Sequence, residues 1–237
     1  MPPEKVNSVA VSNCPQLLEK LETLDVKPII TINNPIVDKK LNYHTDLFLL
    51  NTGNNLIIID ESQKENIVNF LTIGYTVRII SQRVSSPYPS DSILNCVFLN
   101  DKLICNKAVV CEEVLNIAEN LNYKIIDVKQ GYSKCSICVL NDNAIITDDE
   151  SIYKSTQLNQ IDSLLISKGS VQLKGFDYGF IGGCTGLIDK NKLLFNGDIN
   201  YHKDCNKILD FLSKHSIKPE IIENKPLTDI GSIIPLS

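Results

Sequence analysis

The chain is 237 residues long, with 43% hydrophobic and 22% charged residues and a formal net charge of −5. That length supports one well-buried core, and the composition is that of a soluble globular domain, excluding disorder, a collagen-like repeat and a disulfide scaffold. The acidic balance, with arginine only at Arg78 and Arg83, lacks the basic field that a nucleic-acid backbone requires.

The residues from Ser8 to Ser12 read as a β-branched strand, after which Asn13 offers a helix cap and Pro15 suits a first helical turn. Leu17, Leu18 and Leu21 share one helical face ahead of a short strand over 28–31. A hairpin follows, from 46–51 through Thr-Gly-Asn-Asn into 56–60, then helical spacing of Ile67, Phe70 and Leu71 and a strand over 77–80. The order recurs. A hairpin over 93–99 and 103–106 precedes a helix marked by Val114, Leu115, Ala118 and Leu121 and a strand over 124–128. A hairpin over 136–140 and 144–147 precedes a helix from Ser151 and a strand over 164–166. A hairpin over 180–188 and 193–195 precedes a helix through Ile208, Leu209, Phe211 and Leu212 and a strand over 220–222. The chain ends on a strand over 229–236.

The hairpin tips at Asn51, Asn100, Asn141 and Asp189 are 49, 41 and 48 residues apart, so about five such units fill the chain. Five helix-strand pairs accompany only four hairpins. Pairing the last strand with the first supplies the fifth hairpin and protects two otherwise open edges. The expected architecture is a five-bladed α/β propeller of five ββαβ repeats with pseudo-fivefold symmetry, a single domain over 1–237 closed by its N- and C-terminal strands. An open α/β sheet with helices on both faces is the alternative that the same alternation permits.

Eight cysteines are scattered through a domain too large to need staples, the start Met1-Pro2-Pro3-Glu4-Lys5 carries no secretion signal, and no apolar run is long enough to span a bilayer. A reduced, cytoplasmic protein is expected, with most thiols acting as small apolar side chains. Cys135-Ser-Ile-Cys138 spells C-x-x-C, but residues three apart on a strand face opposite ways and no second pair exists, so neither a metal nor another cofactor is expected.

In a closed ring, the polar residues that open each inner strand converge on the axis. Those positions bring together His44 and Asp46, Asp91, Lys134 and Cys135, Asp177 with Gly182 and Gly183, and Asp229 with Ser232. A thiol, an imidazole and several carboxylates form an inventory for nucleophilic catalysis on a small cationic substrate. Lys134 beside Cys135 is expected to favour the thiolate. The plain structural alternatives are a buried core thiol at Cys135 and a turn-closing ion pair between His44 and Asp46. Gly182 and Gly183 suit close backbone approach better than a phosphate loop. A second Tyr-His-x-Asp, Tyr201 to Asp204, falls at a helix start, where Asp204 would serve the helix N-terminus, and His215 falls near the same helix's end as a charge complement.

The ββαβ units, His44-x-Asp46, Gly182-Gly183 and the ending Gly231-Ser-Ile-Ile-Pro-Leu236 resemble the guanidino-group-modifying, or pentein, superfamily. More closely, the segments beginning at Gly131, Tyr178 and Asp229 resemble an uncharacterised bacterial family assigned to that fold, over nearly the whole chain. The resemblance implies a cysteine that attacks a guanidinium carbon to form an amidino-thioether, a histidine acid-base and carboxylates that grip the guanidinium. His44 and Asp46 match the H-x-D motif, whereas Ser232 stands where the enzymes carry their nucleophile. Cys135 is then the candidate nucleophile, with His44 and Asp46 catalytic and Asp91, Lys134, Asp177, Gly182, Gly183, Asp229 and Ser232 as substrate-binding candidates. The expected activity is thiol-dependent hydrolysis or amidino transfer on a small guanidino compound. A non-catalytic pentein that binds a small ligand or a protein is the alternative. Nothing in the sequence warrants an oligomer, a membrane partner or a nucleic-acid partner.

Overall fold

Among residues 5–236, which the computed structural model describes, fifteen strands form five three-stranded sheets. Residues 1–4, part of the start in which no secretion signal was expected, and residue 237 lie outside the described residues. The first unit runs β1 (Ser8–Val11), α1 (Pro15–Thr23) and β2 (Lys27–Ile30). The second runs α2 (Thr45–Phe48), β3 (Leu49–Asn51), β4 (Leu56–Ile59), α3 (Ile67–Thr72) and β5 (Thr76–Ile79). The third runs β6 (Val97–Leu99), β7 (Lys102–Cys105), α4 (Glu112–Asn120) and β8 (Lys124–Asp127). The fourth runs α5 (Ser133–Ser136), β9 (Ile137–Asn141), β10 (Ala144–Thr147), α6 (Glu150–Leu158) and β11 (Asp162–Leu165). The fifth runs β12 (Thr185–Asp189), β13 (Lys192–Phe195), α7 (Cys205–Lys214) and β14 (Lys218–Ile221), and β15 (Ile234–Pro235) ends the chain.

In every sheet the middle strand pairs antiparallel with its hairpin partner and parallel with the strand that follows its helix. The first sheet takes its hairpin partner from the other end of the chain: β15 lies antiparallel to β1 with Val9 opposite Pro235 and Ala10 opposite Ile234, as the two unmatched terminal strands led one to expect.

The middle strands read as unbroken apolar runs because both of their faces are buried. Successive side chains point to opposite faces, and each face enters a different core. In β4, Ile57 and Ile59 join a core with the first sheet and Ile58 one with the third. In β7, Leu103 and Cys105 face the second sheet while Ile104 faces the fourth. In β10, Ile145 faces the third sheet, and Ala144 and Ile146 the fifth. In β13, Leu193 and Phe195 face the fourth sheet and Leu194 the first. In β1, Val9 and Val11 face the fifth sheet and Ala10 the second. Every hydrophobic core is therefore shared by two sheets consecutive in sequence, and one core joins the fifth to the first.

The helices occupy the same seams. Leu17 and Leu21 of α1 enter the core between the first and fifth sheets, Phe70 of α3 that between the second and first, and Ile208 and Leu212 of α7 that between the fifth and fourth. Five of the helices end alike, with a left-handed residue at Asp25, Gly74, Asn122, Gln160 or Ser216. The next residue's N–H then returns to the last turn, as Val26 does to Leu21 and Ile217 to Leu212 at 3.0 and 2.9 Å. The cap of α1 is Cys14 instead of Asn13, with Pro15 in the first turn as expected.

Three expected strands are helical in part, one of them as the 3₁₀ turn Gly182–Cys184. Residues 45–48 and 133–136 each form a single turn, so His44 caps one turn and Cys135 lies within the other. Cys138 is already in β9, so the two thiols of the C-x-x-C do not share a strand.

Candidate functional site

Each sheet's first strand is preceded by a short irregular or helical segment, and these segments meet. Asp46, Asn95, Cys135, Gly183 and Ser232 stand two or three residues ahead of β3, β6, β9, β12 and β15. The one-turn helices turn Asp46 and Cys135 toward each other across 89 residues of sequence, and Cys135 Sγ donates to Asp46 Oδ2 at 3.1 Å. Ser232 Oγ lies 2.5 Å from the same carboxylate oxygen and 2.9 Å from the Gly182 carbonyl, and it accepts from Lys134 Nζ at 3.1 Å. Ser232 holds this place in the left-handed region, at φ 69°, a conformation that a serine adopts at some cost.

His44 Nδ1 faces Asp229 Oδ1 at 3.7 Å, which is an ion pair when the ring is protonated. The Asp229 carboxylate is fixed by two backbone donors, Phe180 N and Gly231 N, each at 3.0 Å. His44 Nε2 and Asp46 Oδ1 are buried with no hydrogen-bond partner among the described residues. His44, Asp46, Cys135 and Asp229 are all at most 3% exposed.

Asn95, which sequence reasoning placed inside an apolar strand, organises the thiol. Its Oδ1 accepts from the backbone N–H of Lys134 and Cys135 at 2.7 and 3.2 Å, and its Nδ2 donates to Cys135 Sγ at 3.2 Å and to the Asp46 carbonyl at 3.0 Å. The only signal for it was its position ahead of β6, equivalent to that of Cys135 ahead of β9.

The expectation that Lys134 favours a thiolate is corrected. Its ammonium goes to Ser232, while burial first and the Asp46 carboxylate second push the Cys135 thiol well above its ordinary range. Burial likewise raises Asp229, against the opposing pull of His44. Asp91 does not reach the cavity described below: its Oδ2 accepts from Tyr132 OH at 2.9 Å, so Tyr132 stands between it and the site. Asp91 too is raised by burial, and Tyr132 is raised by burial and by Asp91.

A cavity of about 270 Å³ lies beside this cluster. His44, Cys135, Asp177 and Asp229 supply its polar side chains, and Tyr132, Phe176, Tyr178 and Phe180 line it with aromatic surface. Asp177 is exposed at this cavity. Lys134 lines a different cavity of about 520 Å³, at the hairpin turns with Asn51, Asn100 and Asn141. Gly182 and Gly183 are packing positions. A side chain on Gly183 would start 2.1 Å from Asp229 Oδ1, and one on Gly182 would start 2.3 Å from the Ile137 carbonyl.

The second Tyr-His-x-Asp lies apart. Asp204 precedes α7 without a side-chain cap and instead accepts from Ser167 N at 2.6 Å and pairs with Lys207 at 2.9 Å. His202 is buried and its Nδ1 accepts from Asp204 N at 3.0 Å. His215 sits at the end of α7, as expected, with Nε2 2.9 Å from Asp162 Oδ2.

Over nearly the whole chain the fold is similar to that of solved amidinotransferases and DDAH. An amidinotransferase of the saxitoxin biosynthetic pathway from Microseira wollei superposes with a TM-score of 0.60 at 10% identity, over 97% of this chain and 96% of its own. A cysteine-to-serine mutant of DDAH from Pseudomonas aeruginosa, complexed with citrulline, gives 0.59 at 11% identity over 92% of each chain. Inosamine-phosphate amidinotransferase from Streptomyces griseus gives 0.57 at 9% identity over 100% of this chain and 96% of its own. No curated protein matches by sequence. Residues 9–234 match the profile described as a family of unknown function, DUF6873, and the chain belongs to that family. No helix among the described residues is long and apolar enough to cross a membrane.

Proposed function

We propose that the chain, as one domain, is a five-bladed α/β propeller whose central pocket takes a small guanidino compound and breaks one of its C–N bonds through Cys135. The ring is supported by the cyclic sharing of the five cores and by the pairing of β1 with β15. The chemistry is carried by one observation: Cys135, His44 and Asp229 line a single aromatic cavity, with Asp46 hydrogen-bonded to the sulfur. A planar cation suits such a cavity, because aromatic faces attract it and Asp177 and Asp229 offer opposite charge. The relatives named above act on guanidino and amidino groups, which supplies the substrate class.

The steps follow from the contacts. The Cys135 proton passes to Asp46 Oδ2 as sulfur attacks the guanidinium carbon, and protonated His44 gives its proton to the departing amine, leaving an amidino-thioether. Water, or an acceptor amine in the transfer variant, then loses a proton to His44 and adds to the carbon. Collapse to the urea, or to the new guanidinium in the transfer variant, expels the sulfur, to which Asp46 returns its proton; in hydrolysis the protonated urea sheds one proton to solvent, matched by the proton that the released amine takes up there as ammonium. Asp229 faces His44 Nδ1 and orients the ring. Intact-mass analysis of the protein quenched in the presence of arginine, agmatine and related guanidino compounds tests this. A Cys135 adduct with one of them is expected, and full turnover of an identified substrate by Cys135→Ala would overturn the assignment.

Two observations favour a non-catalytic reading: burial and Asp46 push the resting thiol well above its ordinary range, and Ser232 stands where the resemblance puts the nucleophile of the guanidino-modifying enzymes. On that reading the cavity binds a small cation without forming an adduct.

A further inference from the structure

We propose that His44 Nε2, Asp46 Oδ1 and Cys135 Sγ form a three-ligand site for a divalent transition metal of the zinc class, with a fourth position facing the cavity of about 270 Å³. Ligand atoms from these three side chains lie within 4.8 Å of one another, and all three residues are buried. A tetrahedral zinc, with bonds of about 2.0 Å to nitrogen and about 2.3 Å to sulfur, places its ligand atoms roughly 3.5 Å apart, within reach of small rotamer shifts.

Two of the three atoms have nothing else to do. His44 Nε2 and Asp46 Oδ1 are buried without hydrogen-bond partners among the described residues, a state that is unfavourable for each group. A divalent cation satisfies both at once, and the charges of one carboxylate and one thiolate match it. Cys135 binds as thiolate, its proton released to solvent. The set combines the sulfur, nitrogen and oxygen donors that zinc accepts, and three protein ligands with an open position is the pattern of sites where the metal meets a further ligand.

Each ligand is also held from behind. His44 Nδ1 faces Asp229, which leaves Nε2 as the coordinating nitrogen. Cys135 Sγ receives Asn95 Nδ2 at 3.2 Å, and Asp46 Oδ2 receives the Ser232 hydroxyl at 2.5 Å. Such outer partners fix ligand orientation, and their loss typically costs about 10–100-fold in metal affinity. The C-x-x-C takes no part: Cys138 is in β9, and the ligand set comes from two one-turn helices 89 residues apart.

The site stands independently of the proposed activity, but it uses the same thiol, so metal and cationic ligand exclude one another there. The test is titration of chelator-treated full-length protein with Co²⁺, followed by the thiolate-to-cobalt charge-transfer band, with Zn²⁺ then displacing the cobalt. One equivalent with tetrahedral spectral intensity is expected. Cys135→Ser should remove the band, Cys138→Ser should keep it, and Asp229→Asn should weaken binding by about tenfold or more. A second measurement needs no variant: saturating Zn²⁺ should slow iodoacetamide labelling of Cys135 while leaving the half-buried Cys14 and Cys205 unchanged. Absence of the band, its survival in Cys135→Ser, or unprotected Cys135 would each overturn the metal site. Failure of the guanidino adduct with an intact cobalt band would instead overturn the enzymatic reading alone.

Discussion

Replacing Gly183 by alanine tests how tightly the site is built. The new Cβ would lie 2.1, 2.3 and 2.4 Å from Asp229 Oδ1, Cγ and Oδ2, where ordinary contact begins near 3.4 Å. The carboxylate would have to retreat by about 1 Å, yet it is tied at 3.0 Å to both Phe180 N and Gly231 N, bonds that such a shift breaks. Overpacking of this kind costs about 1–3 kcal/mol and each lost hydrogen bond to a charged group about 1.5–3 kcal/mol. With partial relaxation the expected destabilisation is about 4 kcal/mol, a fall in Tm of roughly 10 °C for a chain of this size. Gly53 provides the control: its φ is +80° but nothing lies within 4 Å of its would-be Cβ, so Gly53→Ala should cost only the left-handed backbone penalty, about 1 kcal/mol. Urea unfolding of both variants measures the difference. Combining Gly183→Ala with Asp229→Ala should recover about 2 kcal/mol relative to additivity, because the clash partner is gone. If Gly183→Ala proved no worse than Gly53→Ala, the close approach that seats Asp229 against His44 would be refuted.

Other outcomes follow from the same geometry. Asp46→Asn removes the carboxylate that lies 3.1 Å from the sulfur and helps hold up its pKa, so iodoacetamide labelling of Cys135 at pH 8 should rise by about tenfold; an unchanged rate would count against the contact. Asn95→Ala leaves the N–H groups of Lys134 and Cys135 unpaired in a buried site and should cost about 2 kcal/mol by urea unfolding, a loss below 0.5 kcal/mol contradicting its role. Burial raises Asp148 to about 7, so the folded state holds this proton more tightly than the unfolded chain. Its contribution is greatest below about pH 4 and is lost as pH rises toward 7, roughly 4 kcal/mol across that window. Asp148→Asn should remove this part of the pH slope, and identical slopes in the two proteins would refute the assignment.

The hairpin repeat and the use of both chain ends in one sheet were legible because strand patterning is local and the turns carry Asn, Asp and Gly. The site was legible as an inventory. His44, Cys135 and Asp229 meet at one cavity with Asp46 hydrogen-bonded to the sulfur, and Ser232 stands beside them. What failed was detail that depends on one helical turn or on distant partners. Residues 45–48 continue into the apolar run of β3, so nothing in the pattern marks the turn that aims Asp46. Asn95 sits between Leu94 and Cys96 and reads as a strand residue. Lys134 adjoins Cys135 in sequence, yet its side chain reaches Ser232, while the charge that governs the thiol arrives from Asp46. The aromatic wall comes from an irregular stretch around Phe176 to Phe180, where no periodicity reports burial.

The central claim is that the cavity presents Cys135 to a planar cation. Labelling by chloroacetamidine, a cationic amidine, should be compared with labelling by neutral chloroacetamide, each site read by peptide mass spectrometry. The account predicts that the amidine modifies Cys135 at least about tenfold faster than the neutral reagent, the preference expected when buried carboxylates draw a cation to the sulfur, and that agmatine or arginine protects it. Equal rates for the two reagents, or an inert Cys135, would contradict it.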